Sequence, residues 1–127
     1  MGTGTDEGSA TSVRFAHDSE RRFARILDFY GVAWEYEPVE FAIDWDEHGR
    51  PTAAFRPDFW LPGPGLFVEL TTLNQRLVTK KNGKIRRVAA LYPDVRITVL
   101  YQRDTLALLA KYGLAGGGRR AEAARIA

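Results

Sequence analysis

The stretch that most constrains the fold of this chain is the run R-P-D-F-W-L-P-G-P-G-L-F-V-E-L-T from Arg56 to Thr71. Aromatic and apolar residues dominate Phe55 to Leu61 and again Leu66 to Thr72. Pro62-Gly63-Pro64-Gly65 between them is a breaker cluster that reads as a tight turn. The pattern predicts an antiparallel hairpin. A two-residue loop at Gly63 and Pro64 sets Leu61 opposite Leu66, so that Asp58 faces Glu69 on the neighbouring strand. Directly opposed side chains have Cβ atoms roughly 4.5–5.5 Å apart, and two like charges there destabilise the pair unless a base or a cation neutralises them. The alternative is that the register is off by one or two residues, or that each acid is solvated or paired with Arg56 or another base.

The chain has 127 residues, enough for one domain with a real core. We divide it into a disordered leader over 1–14, a single domain over 15–115, and a Gly-rich link and tail over 116–127. No apolar run approaches the roughly 18 residues of a membrane span, and the start lacks a signal-like segment, so a cytoplasmic location without membrane contact is expected. Cysteine is absent, which excludes thiol catalysis and thiolate metal sites. Any metal must be held by oxygen ligands or by His17 and His48. Charge is divided along the chain. Residues 1–71 hold 6 basic and 13 acidic side chains, whereas 72–127 hold 12 basic and 3 acidic ones. A basic surface beside a local acidic cluster suits an enzyme that cuts a polyanion with metal ions; mutual neutralisation of the halves is the plainer reading.

From Ser19, with Asp18 or Ser19 as cap, the apolar spacing of Phe23, Ile26, Leu27 and Tyr30 predicts a helix that closes at Gly31. Glu20 continues that stripe and is expected to point inward, although an acid in a first turn is also favoured by the helix dipole. Val32 to Trp45 reads as a strand, or a strand with a bend near Pro38, with Glu35, Glu37 and Glu40 either extending an acidic site or solvated. Asp46 to Thr52 reads as a turn, and His48 as a surface residue. After the hairpin, Leu73 to Thr79 reads as a connection, followed by a helix to Leu91 ended by Pro93. Its inward stripe is Ile85, Val88, Ala89 and Tyr92, and Lys80, Lys84 and Arg87 form a neighbouring basic stripe. Arg96 to Tyr101 is a β-branched strand expected to run parallel to the hairpin strand before it. Asp104 is placed to cap a last helix carrying Leu106, Leu109 and Ala110.

This order, helix, three strands, helix, strand, with an acid at the helix start, Pro57-Asp58 on one strand and Glu69 on the next, resembles the PD-(D/E)XK (restriction-endonuclease-like) nuclease superfamily. It is most similar to the small stand-alone and transposase-associated members related to very-short-patch-repair endonucleases and archaeal Holliday junction resolvases. The resemblance covers about Ser19 to Tyr101. It implies an α/β fold with an αβββαβ core, a mixed central sheet flanked by helices, plus a C-terminal helix. One position departs from the pattern. The family's E-x-K would put lysine two residues after the glutamate, but Glu69-Leu70-Thr71 ends in threonine, which carries no charge to position an attacking water. Gln75, Lys80, Lys81 and Lys84 are near enough in sequence to take that part.

What the resemblance implies is metal-dependent hydrolysis of DNA, with Asp58, Glu69 and Glu20 at the catalytic centre and Gln75 or Lys80 replacing the missing lysine. Asp58, Glu69 and the Leu70 carbonyl would hold one Mg²⁺ or Mn²⁺, with Glu20 completing the shell directly or through water. Arg76, Lys80, Lys81, Lys84 and Arg87 are the expected contacts to the DNA backbone. Trp60 is a candidate to stack on an unpaired base, with core packing as its alternative. Two other readings stand beside this one: a nuclease-fold module that binds nucleic acid without cutting it, and a homodimeric interaction protein whose charged halves pair.

Overall fold

The computed structural model describes residues 13–71 and 75–114, with the side chains of 75–77 outside the description. Its elements in chain order are helix α1 (Asp18–Phe29), strands β1 (Glu35–Tyr36), β2 (Phe41–Trp45), β3 (Pro51–Phe55), β4 (Phe59–Leu61) and β5 (Leu66–Thr71), helix α2 (Gln75–Leu91), strand β6 (Ile97–Tyr101), a 3-10 turn (Gln102–Asp104) and helix α3 (Thr105–Lys111). The fold is mixed α/β. A four-stranded sheet has the order β1-β4-β5-β6, and β2 and β3 form a separate two-stranded sheet. β6 runs parallel to β5, and the other pairs of the larger sheet are antiparallel.

The expected hairpin and its register are present: Phe59 pairs with Val68, Trp60 with Phe67 and Leu61 with Leu66. β5 is buried along its whole length because both of its faces are covered. On one face Phe59, Leu61, Leu66, Val68 and Leu70 join Phe23, Ala24 and Leu27 of α1 and Leu108 and Leu109 of α3. The Phe23 and Phe59 rings meet edge to face with centroids 4.9 Å apart. On the other face Ile43, Phe55 and Val88 form a second cluster with Phe41, Ile85, Tyr92 and Ile97, which seats α2 and the small sheet.

α1 matches its predicted stripe and stop. Gly31 has φ +70, its N–H donates to the Asp28 carbonyl, and the Val32 N–H reaches back to the Leu27 carbonyl. These paired bonds satisfy the last carbonyls of the helix and need a residue that tolerates a left-handed backbone. The N-cap is His17 rather than Asp18 or Ser19. At the other end of the chain Asp104 occupies the cap position of α3 but makes no side-chain cap hydrogen bond. Thr105 Oγ1 instead donates to the Gln102 carbonyl inside the preceding 3-10 turn.

Three further expectations are corrected. Val32 to Trp45 is not one bent strand, because Glu37 takes φ +47 just before Pro38 and splits it into β1, in the larger sheet, and β2, in the smaller one. Phe55 and Phe59 likewise belong to different strands of different sheets, since Pro57 has no N–H to give to a ladder. α2 begins at Gln75, earlier than the predicted start near Thr79, and Ala89 is exposed where an inward position was expected. No helix among the described residues is long and apolar enough to cross a membrane. The predicted leader lies almost wholly outside the described residues, and the tail over 116–127 lies outside them entirely.

Candidate functional site

The register that pairs Phe59 with Val68 carries on by one residue beyond β4 and sets Asp58 across from Glu69. The two acids hold each other's strands. The Asp58 N–H donates to Glu69 Oε1 at 3.1 Å, and the Leu70 N–H donates to Asp58 Oδ2 at 2.9 Å. Each carboxylate thus completes a backbone pairing where the strands begin to part, which fixes both side chains on one face at one end of the sheet. Asp58 is 8% exposed and Glu69 6%.

Two buried carboxylates so close cannot both stay ionised without help. Burial, and then the neighbouring Glu69, push the Asp58 carboxyl up to about 8 against the pull of the Leu70 N–H and Lys81. Burial also raises Glu69, while Lys81 opposes the rise. Lys81 is the base the site supplies: its ammonium donates to the Leu70 carbonyl at 2.5 Å and lies 3.1 Å from Glu69 Oε2.

Glu20 reaches the same cleft from the first turn of α1 and is 5% exposed, as the inward reading predicted. Its Oε1 accepts from the Ala16 and His17 N–H groups at 3.1 and 3.2 Å and from the Tyr36 hydroxyl at 2.6 Å. Burial, with the Glu20 hydrogen bond next, raises the Tyr36 phenol well above its ordinary value, so it stays a donor. The cleft encloses about 500 Å³ and is also lined by His17, Ser19, Glu37 and Thr71.

The donor set is all oxygen, which suits Mg²⁺ or Mn²⁺ rather than a softer metal. A divalent ion would let Asp58 and Glu69 both ionise, since its binding displaces the proton that burial otherwise keeps on the pair. Among the described residues no three Asp, Glu or His side chains stand close enough to hold an ion together. The groups here that could hold an ion are Asp58 and Glu69, with the Leu70 carbonyl beside them.

The basic residues separate into distinct groups. Lys80 is exposed, and Lys81 on the next position carries the contact to the acids. Lys81 could have been chosen from the sequence, because it precedes Ile85, Val88 and Tyr92 on the inward stripe just as Glu20 precedes Phe23 and Leu27. Lys84 and Arg86 make no ion pair among the described residues. Arg87 is tied instead to the small sheet: its Nε donates to the Ile43 carbonyl at 3.0 Å and its Nη2 lies 3.4 Å from Asp44 Oδ1. Trp60 is half-buried with its ring 4.5 Å from that of Phe67, which is the packing reading. The side chains of Gln75 and Arg76 lie outside the described residues. Of Glu35, Glu37 and Glu40, Glu37 lines the cleft, whereas Tyr36 was not expected there, since its place depends on the break between β1 and β2. His48 is exposed on the β2–β3 turn, as expected.

No protein-family model, curated protein or solved structure matches this chain.

Proposed function

We propose that this chain is a restriction-endonuclease-like domain that hydrolyses phosphodiester bonds in DNA with a carboxylate-held Mg²⁺ or Mn²⁺. The observation that carries the reading is the reciprocal pairing of Asp58 and Glu69, with the Lys81 ammonium between Glu69 and the Leu70 carbonyl. Asp58, Glu69 and the Leu70 carbonyl would hold the ion, whose chemistry would be to polarise a scissile phosphate and acidify a water.

The protein's own groups take the remaining parts. Lys81, on α2 three residues after the buried Val78, takes the place of the lysine that Thr71 replaces, holding a water or phosphate oxygen by a charge-assisted hydrogen bond. Glu20, anchored by Tyr36 and two backbone N–H groups, keeps the third wall of the cleft negative. The exposed Lys80 and Arg86 and the half-buried Lys84 of α2 would contact the DNA backbone without regard to sequence.

One observation favours a second reading, a module that binds nucleic acid without cutting it. The Lys81 ammonium already satisfies Glu69 and the Leu70 carbonyl, so the site is neutralised in part without an ion.

The test is incubation with supercoiled, single-stranded and branched DNA, with and without Mn²⁺, beside Asp58→Ala and Glu69→Ala. Cleavage that needs Mn²⁺ and falls at least about 100-fold in both variants is expected, the scale on which a positioned catalytic group contributes. Cleavage unchanged in both variants removes the proposed site, and DNA binding with no cleavage of any substrate selects the second reading.

A further inference from the structure

We infer that Glu37 is a positioning residue for Asp58, acting through its ion pair with Arg56. This deepens the proposed cation site and rests on it for its functional consequence, although its structural test does not.

Among the described residues Glu37 alone, other than glycine, has a positive φ, at +47. The position is doubly unfavourable. A side chain makes the left-handed region costly, and the following Pro38 pushes the residue before it toward an extended backbone. A glycine would remove the first of these penalties, so the presence of a long acidic side chain calls for a compensating contact.

The contacts of Glu37 converge on one tripeptide. Its N–H donates to the Asp58 carbonyl at 2.8 Å. Its Oε1 lies 4.0 Å from Arg56 Nη1, and the other nitrogen of that guanidinium is 3.3 Å from Glu40 Oε1. Arg56-Pro57-Asp58 is the link between β3 and β4, so it belongs to neither sheet. Its acid nevertheless has to stay across from Glu69. Glu37 meets this link at both ends, by a hydrogen bond to the Asp58 carbonyl and an ion pair with the Arg56 side chain, and it is one of the residues that line the cleft. The left-handed turn lets one residue do both, because β1 leaves the sheet at that point with its N–H still on Asp58 and its side chain beside Arg56.

Glu37→Gly keeps the N–H and relieves the backbone, but removes the hold on Arg56. Arg56→Met removes the same hold from the other side and leaves the backbone of residue 37 untouched. Amide hydrogen exchange, thermal unfolding and Mn²⁺ titration on both variants form the test. The expected result is faster exchange, by about tenfold or more, at the Asp58 and Leu70 amides, which are the two donors of the carboxylate pairing. The melting temperature of Glu37→Gly is expected to hold or rise, and Mn²⁺ affinity to fall at least about threefold in both variants. Exchange at those amides unchanged in both variants overturns the inference, whatever the metal does. If the wild-type protein binds no Mn²⁺ while the exchange effect is present, the cation site fails and the positioning of Asp58 by Glu37 stands.

Discussion

Lys81 Nζ lies 3.1 Å from Glu69 Oε2 and donates to the carbonyl of Leu70, so one ammonium occupies two of the three oxygen donors that a cation would use. A lysine in that position has to yield when an ion enters. Lys81→Met is therefore expected to keep or raise the affinity for Mn²⁺ while lowering cleavage about 100-fold, the lower end of the scale for a positioned proton-transfer or orienting group. Lys80→Met, one residue away and exposed, is expected to leave the Mn²⁺ affinity within about twofold and to lower cleavage only as far as DNA binding weakens. Calorimetric titration with Mn²⁺ and single-turnover cleavage separate the two effects. Equal losses of cleavage in both variants would assign Lys81 to general electrostatics.

The raised carboxyl of Asp58 gives the metal-free protein a pH dependence of definite sign. Its pKa is about 8 in the fold, against 3.8 for an unperturbed aspartate. Between those values the native state therefore binds more protons than the unfolded chain, so stability falls as pH rises through that window. A tenfold difference in proton affinity between the two states corresponds to about 1.4 kcal/mol. Urea unfolding in the presence of EDTA is expected to give a midpoint that declines from pH 5 to pH 8 and then levels. Asp58→Asn, which keeps an acceptor for the Leu70 N–H, flattens the decline. A midpoint that rises over that range would show that the pair is held ionised by other means.

Gly83 tests how far α2 is held by its own backbone rather than by what surrounds it. The helix runs unbroken through this glycine, and a Cβ built there would meet nothing nearer than the Arg86 guanidinium at 4.0 Å. Alanine avoids the entropy that glycine loses in a helix, so Gly83→Ala is expected to stabilise the protein by about 0.5–1 kcal/mol. Chemical denaturation with an unchanged m-value is the check, and cleavage is expected to be unaffected.

How much of this could be read from the residues depended on whether the information was local. The β4–β5 register was legible because a Pro-Gly-Pro-Gly turn leaves few ways to close a hairpin, and side-chain alternation then places Asp58 and Glu69 on one face. Glu20 was legible as the continuation of an apolar stripe. The same argument points to Lys81 as the base that reaches the acids, but the dense run of bases from Arg76 to Arg87 obscures it. The division of β1 from β2 was not legible, since it turns on a left-handed glutamate before a proline, a conformation that local propensity argues against. The part of Tyr36 follows from that division and was hidden with it, as was the choice of Glu37 from among Glu35, Glu37 and Glu40. The hold of Arg87 on the small sheet was not legible, because its partners, Ile43 and Asp44, lie far away in sequence on a strand whose place in the fold depends on the same break.

Salt dependence separates bases that meet a polyanion from bases that hold the fold. Lys84 and Arg86 make no ion pair among the described residues, whereas Arg87 binds the Ile43 carbonyl and Asp44 across the contact between α2 and β2. Each phosphate contact adds about 0.9 to the slope of log K against log salt on duplex DNA. Lys84→Met and Arg86→Met are each expected to reduce that slope by about one, with little change in unfolding. Arg87→Met is expected to leave the slope within error but to cost stability, on the order of 1–3 kcal/mol for a charge-assisted hydrogen bond to a carbonyl lost at a packed contact. Fluorescence anisotropy with a labelled duplex at several salt concentrations gives the slopes, and urea unfolding gives the stabilities. A slope reduced only in Arg87→Met would place the DNA on the side of α2 that faces the small sheet and would remove Lys84 and Arg86 from the proposed interface.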